Sequence, residues 1–101
     1  MQELRRGGQM SVYIGEVATF ADVADTKEQA VKVLEEAAEV FGAWQEWNRE
    51  GLELQSLKSE CADLIQVTCN LLAAIGVPIM NYQMDECRTR NEERGRIYEE
   101  A

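Results

Sequence analysis

Apolar residues recur at helical spacing through most of the chain. From Thr26 onward, Ala30, Leu34, Ala37, Phe41 and Trp44 fall three or four positions apart, and Val33 and Val40 widen the stripe. That pattern predicts an amphipathic helix. Thr26-Lys-Glu-Gln29 opens it with a capping box, and Gly51 is the expected stop, just past Glu50. Gly51 to Leu57 then reads as a loop, with Ser56 or Ser59 capping a second helix. That helix carries Cys61, Leu64, Ile65, Thr68, Leu71, Leu72 and Ile75 on its apolar side and closes at Gly76, before Pro78. A third helix is expected from Ile79 to about Glu99, packing through Ile79, Tyr82, Met84, Cys87 and Ile97. Gly95 interrupts good helix formers and marks an end or a bend.

Ahead of these helices, residues 1–10 are polar, and 11–25 alternate loosely through Val12, Ile14, Val17 and Phe20. The alternation is open to a short strand, a short helix or an extended arm across a partner. The chain thus divides into an arm or tail, 1–25, and a helical domain, 26–101. An antiparallel helix pair leaves an apolar flank open. The expected fold is therefore all-α, with antiparallel helices forming a four-helix bundle on dimerisation, as a homodimer or homotetramer.

Acidic residues interrupt the apolar stripes in a regular way. Glu36 and Glu39 share one helical face, as do Glu60 and Asp63. Folding the two helices back to back would gather four carboxylates, which must protonate or be compensated by a cation. Hard oxygen donors in this number suit Mg²⁺ or Mn²⁺, and Mg²⁺ commonly works beside substrate phosphates. Any single helical glutamate is ordinarily solvated surface. The weight lies in two acidic pairs, each interleaved with apolar residues.

Other residues fit a phosphate-bearing substrate. Lys32, one turn before Glu36, can offset its charge or reach a phosphate. Trp47 lies three turns beyond Glu36 on nearly the same face, where stacking on a nucleobase is worth ~1–3 kcal/mol. Aromatics at such spacing are more often core or interface, and Trp44 is the weaker candidate. Asn70, two turns past Asp63, is a candidate contact to base or sugar. Arg88, Arg90, Arg94 and Arg96 surround Asn91 near the C-terminus. Guanidinium groups suit bidentate phosphate contact, although pairing with Glu86, Glu92 and Glu93 is the plainer use.

Composition narrows the classes. The chain has 101 residues, 19 acidic against 10 basic, a net charge of −9 and no histidine. One domain fits this length. So acidic a surface argues against a nucleic-acid polymer as partner, but not against a nucleotide, because bound metal reverses the local sign. Histidine-based triads and histidine-ligated zinc are excluded. Cys61, Cys69 and Cys87 show no Cys-x-x-Cys spacing and read as small buried residues of a reducing compartment. The first ten residues lack the apolar core of a signal peptide, and the longest apolar run, Leu71 to Val77, is too short to span a bilayer. No membrane is expected, and a cytoplasmic location is.

Glu35-Glu36-x-x-Glu39 followed by Glu60-x-x-Asp63 resembles the signature of the all-α nucleotide pyrophosphohydrolases, the MazG-like superfamily. That superfamily includes dimeric dUTPases, dCTP pyrophosphatases and phosphoribosyl-ATP pyrophosphatase. The resemblance covers roughly residues 26–98. It implies that Glu36, Glu39, Glu60 and Asp63 hold Mg²⁺, with Glu35 as an accessory carboxylate. Asn91-x-x-Arg94 likewise resembles a substrate-binding element of related enzymes. The implied reaction is hydrolysis of a (deoxy)nucleoside triphosphate to monophosphate and pyrophosphate, in a house-cleaning role. Metal would be positioned by the four carboxylates, and Glu35 or a ligand carboxylate would take the proton of the attacking water. Phosphoribosyl-ATP pyrophosphatase is the nearest alternative, sharing the Lys-Val-x-Glu-Glu-Ala-x-Glu and Ala-Asp-Leu stretches. The tryptophan pair and the N-terminal segment favour a nucleotide-pool enzyme. A non-catalytic helical dimer whose acidic groove binds metal or a partner is the alternative from another class.

Overall fold

A computed structural model describes residues 10–49 and 51–98, without the side chains of 51 and 52. It contains α1 (Lys27–Glu46), α2 (Gly51–Ala74) and α3 (Asn81–Glu93), with no strand among the described residues. The all-α expectation therefore holds. The chain divides into two compact units, Val17–Pro78 and Met1–Glu16 with Ile79–Ala101.

In the first unit, Thr26 caps α1 as its sequence predicts. Its Oγ1 accepts from the Gln29 N–H at 3.2 Å, satisfying one of the amides a helix start leaves unpaired. The other half of the capping box is filled differently: the Thr26 N–H donates to the Ala24 carbonyl at 2.9 Å. The end of α1 departs from expectation. The helix stops at Glu46, and the expected loop Gly51–Leu57 is instead the opening of α2. Trp47 leaves the helix in an extended conformation, and Arg49 takes a left-handed one, φ 76°. Arg49 thus supplies the break assigned to Gly51. Its guanidinium lies 4.4 Å from the Trp47 ring centroid and 5.6 Å from that of Trp44. Each such contact is worth about 0.5–1 kcal/mol at an exposed site. Half-buried Leu54 and Leu57, three apart, give the first turns of α2 an apolar side.

The two helices pack on each other in antiparallel fashion: Glu46 lines a groove with Glu53, Glu39 with Glu60, and Glu36 approaches Asp63. α2 closes as predicted. Gly76, at φ 79°, donates to Ala73 and Val77 donates to Leu72, which satisfies carbonyls of the last turn before Pro78.

Residues 17–25 form neither helix nor strand. They are held to α2 by two side chains. Gln66 Nε2 donates to the Ala18 carbonyl at 2.9 Å and to Asn70 Oδ1 at 3.1 Å, and Asn70 Oδ1 also accepts from the Phe20 N–H at 3.1 Å. Neither the short strand nor the short helix open to this stretch is formed in residues 17–25, which lie against α2 of the same chain. Asn70, 1% exposed, is the one fully buried side chain among the described residues, and no apolar side chain is buried to that degree. Leu34, Phe41 and Trp44 stand 71%, 57% and 49% exposed on α1.

In the second unit, α3 ends at Glu93, short of the expected boundary near Glu99; Glu99 itself lies outside the described residues, as do residues 1–9 of the polar N-terminal stretch. The cause is Gly95, whose left-handed φ of 74° lets its N–H donate to Glu92 while Arg96 donates to Asn91. Ile79, Tyr82 and Met84 are exposed, and Cys87 is half-buried.

Candidate functional site

The antiparallel pairing of α1 and α2 converts two sequence-local acidic pairs into one cluster. Oxygens of Glu36, Glu60 and Asp63 all lie within 4.8 Å of one another. Glu36 and Glu60 are half-buried, and Asp63 opens to solvent. Burial pushes the Glu60 carboxyl above its ordinary value, and repulsion from Glu39, then Asp63 and Glu36, pushes it further. The cause is the usual one: an anion loses solvation and gains like-charged neighbours.

Glu39 is not one of the three converging oxygen donors, but it stands beside them. It lines a groove of about 400 Å³ with Glu60, Glu46, Glu53 and the small residues Ala38, Gly42, Ala43 and Ser56. The small side chains leave the groove open, and its volume lies within the range of small-ligand sites. Glu46 and Glu53 were not singled out in the sequence. Their pairing across the groove depends on the tight turn at Arg49, which starts α2 early enough to carry Glu53 opposite Glu46.

The remaining candidates occupy other positions. Glu35 is exposed and pairs with Lys32 at 3.7 Å; both line a separate shallow groove with Lys27, Glu28 and Val31. Trp47 is half-buried, its indole N–H is buried without a partner, and Arg49 stacks over its ring. Asn70 Oδ1 is committed to the arm. In the second unit, Asn91 Nδ2 donates to the Cys87 carbonyl at 2.9 Å and Arg94 sits at the cap position just past α3. Arg88 pairs with Glu92 at 3.1 Å, the plainer use foreseen for that cluster.

The donor set consists of carboxylate oxygens from three side chains, which fits a hard divalent cation, although exposed acidic groups are common without one. No helix among the described residues is long and apolar enough to cross a membrane. Among known proteins, no family model, no curated protein and no solved structure matches the chain.

Proposed function

We propose that the α1–α2 pair is the catalytic centre of a Mg²⁺-dependent nucleoside triphosphate pyrophosphohydrolase, releasing a nucleoside monophosphate and pyrophosphate. The observation that carries this reading is the convergence of Glu36, Glu60 and Asp63 from two helices. Its motif support is the likeness of Glu-Glu-x-x-Glu and Glu-x-x-Asp to the MazG-like signature.

Glu36, Glu60 and Asp63 would hold the cation. Bound there, it supplies neutralising charge for the phosphates and polarises water. Burial and the neighbouring carboxylates raise the Glu60 carboxyl, a cost that a cation held there would relieve. Glu39, expected as a fourth ligand but outside the three converging donors, lines the groove beside Glu60 and would accept the proton of an attacking water there. Glu35 is turned to Lys32 and serves the site less directly. The groove walls of Ala38, Gly42 and Ala43 admit a polyphosphate where larger side chains would fill the space. On the same reading, two copies of the helix pair complete a four-helix bundle, in a homodimer or homotetramer working on nucleotide pools in the cytoplasm.

Glu39→Gln and Glu60→Gln test the assignment through pyrophosphate release and circular dichroism. Turnover is expected to vanish in both while helicity stays. Turnover surviving both changes would remove the site.

A further inference from the structure

The arm that precedes α1 carries a feature that the carboxylate cluster does not absorb. Asn70, 1% exposed, accepts the Phe20 N–H at 3.1 Å, and Gln66 donates to the Ala18 carbonyl at 2.9 Å. Gln66 also donates to Asn70 Oδ1, so the two clasps brace each other. The backbone at Ala18 and Phe20 is thereby fixed on α2, yet Phe20 stays 56% exposed. A lone exposed apolar residue is ordinary surface. Phe20 differs in that its backbone is tied down by the one fully buried side chain among the described residues.

The level of Phe20 along α2 gives its ring a use. Asn70 lies seven residues past Asp63, about 10 Å along the axis and on nearly the same face. Along α2 the groove therefore comes first, at Glu53 and Glu60, then the cluster at Glu60 and Asp63, then the arm at Gln66 and Asn70. A triphosphate whose phosphates run from the cluster into the groove leaves its nucleoside on the arm side. Among the described residues of this unit, the aromatics are Phe20, Phe41, Trp44 and Trp47. Because α1 runs antiparallel to α2, the last three lie beyond Glu36 on the groove side. Trp47 is eleven residues from Glu36, about 16 Å along the axis, and Arg49 already covers its ring. Phe20 is the aromatic on the nucleoside side.

We propose that Phe20 is the nucleobase platform of this site, held in place by the Gln66–Asn70 clasp. The proposal rests on the pyrophosphohydrolase reading and moves base stacking from Trp47 to the arm. A base laid on the ring covers apolar surface that now faces water, and a backbone already fixed loses little order on binding. Stacking accepts every base, so the platform selects nucleotides as a class and leaves the choice of base to other contacts.

The test is pyrophosphate release with Mg²⁺ and each canonical ribo- and deoxynucleoside triphosphate, with inorganic tripolyphosphate as a competitor that has no base. For every triphosphate that the unaltered chain cleaves, Phe20→Leu should raise KM ~5- to 150-fold, the range that base–aromatic stacking spans. Helicity and kcat should stay unchanged, and Phe20→Tyr should keep the original KM. Tripolyphosphate should inhibit all three proteins equally. An unchanged KM in Phe20→Leu, beside activity in the unaltered chain, would overturn the platform and leave the catalytic reading standing. Equal weakening of nucleotide and tripolyphosphate would overturn it too, reducing Phe20 to a support of the arm. No release by the unaltered chain would remove the catalytic reading, and the platform with it.

Discussion

On the α2-facing side of α1, the carboxylate of Glu36 is half-buried against Glu60 and Asp63; on the outer side, Leu34, Phe41 and Trp44 lie open to solvent. A helix of a stable monomer does the reverse, turning its apolar stripe inward. The difference shows where each face of α1 carries a cost. Charge crowded between two helices is a cost to folding unless something compensates it, and the cation proposed for the acidic face would do so. Apolar surface left in water is a cost unless something covers it, and Leu34, Phe41 and Trp44 carry that cost on the outer face.

Removing the acidic character of the inner face breaks this comparison most severely. Glu36→Leu would remove the α1 member of the three converging carboxylates. Pyrophosphate release should fall by at least ~10²-fold, since loss even of groups that merely support metal ligands costs ~10–100-fold. Its melting temperature without metal should not fall, because a crowded anion has been replaced by an apolar group. A variant that keeps its activity would show that the cluster is structural.

Glu60 sharpens the same point through pH. Its native pKa is raised, so the folded state keeps the proton to higher pH than the unfolded chain does. The associated stability is fully present below the ordinary value of 4.5 and is lost as pH rises through the raised one. Glu60→Gln, which mimics the protonated form, should therefore melt above the unaltered protein at pH 7 without metal. The gap should narrow as pH falls toward 4.5. A gap that is constant with pH would mean that Glu60 carries no such penalty.

Smaller effects test the scaffold that holds the two faces apart. Asn70→Ala removes the acceptor of the Phe20 N–H and leaves that amide without its bond. A loss of about 1–3 kcal/mol is expected in urea unfolding, with faster hydrogen exchange at the Phe20 amide. Thr26→Ala removes only the cap of α1 and should cost about 1 kcal/mol in the same titration.

How far the sequence discloses this architecture follows from which signals are local. The stripe of α1, its cap and the close of α2 at Gly76 are local signals, and all three appear where the residues place them. The pairing of Glu36 with Asp63 is legible too, because each acidic pair already shares a face. The turn was not. A left-handed arginine stacked on two tryptophans has no sequence signature, whereas Gly51 carries the usual one and starts a helix instead. Asn70 shows a similar limit. Its buried position depends on a backbone N–H fifty residues away, and no periodicity reports such a partner. Nor does an apolar stripe say which of its flanks meets the neighbouring helix; Val33 and Val40 do, and Leu34 and Phe41 do not.

The central claim is that the carboxylate cluster between α1 and α2 hydrolyses a nucleoside triphosphate. The direct test is pyrophosphate release across canonical and modified ribo- and deoxynucleoside triphosphates with Mg²⁺, beside Glu60→Gln and a chelated control. The account predicts release from one or a few of them, lost in both controls. No release from any triphosphate by folded, metal-supplied protein would contradict it.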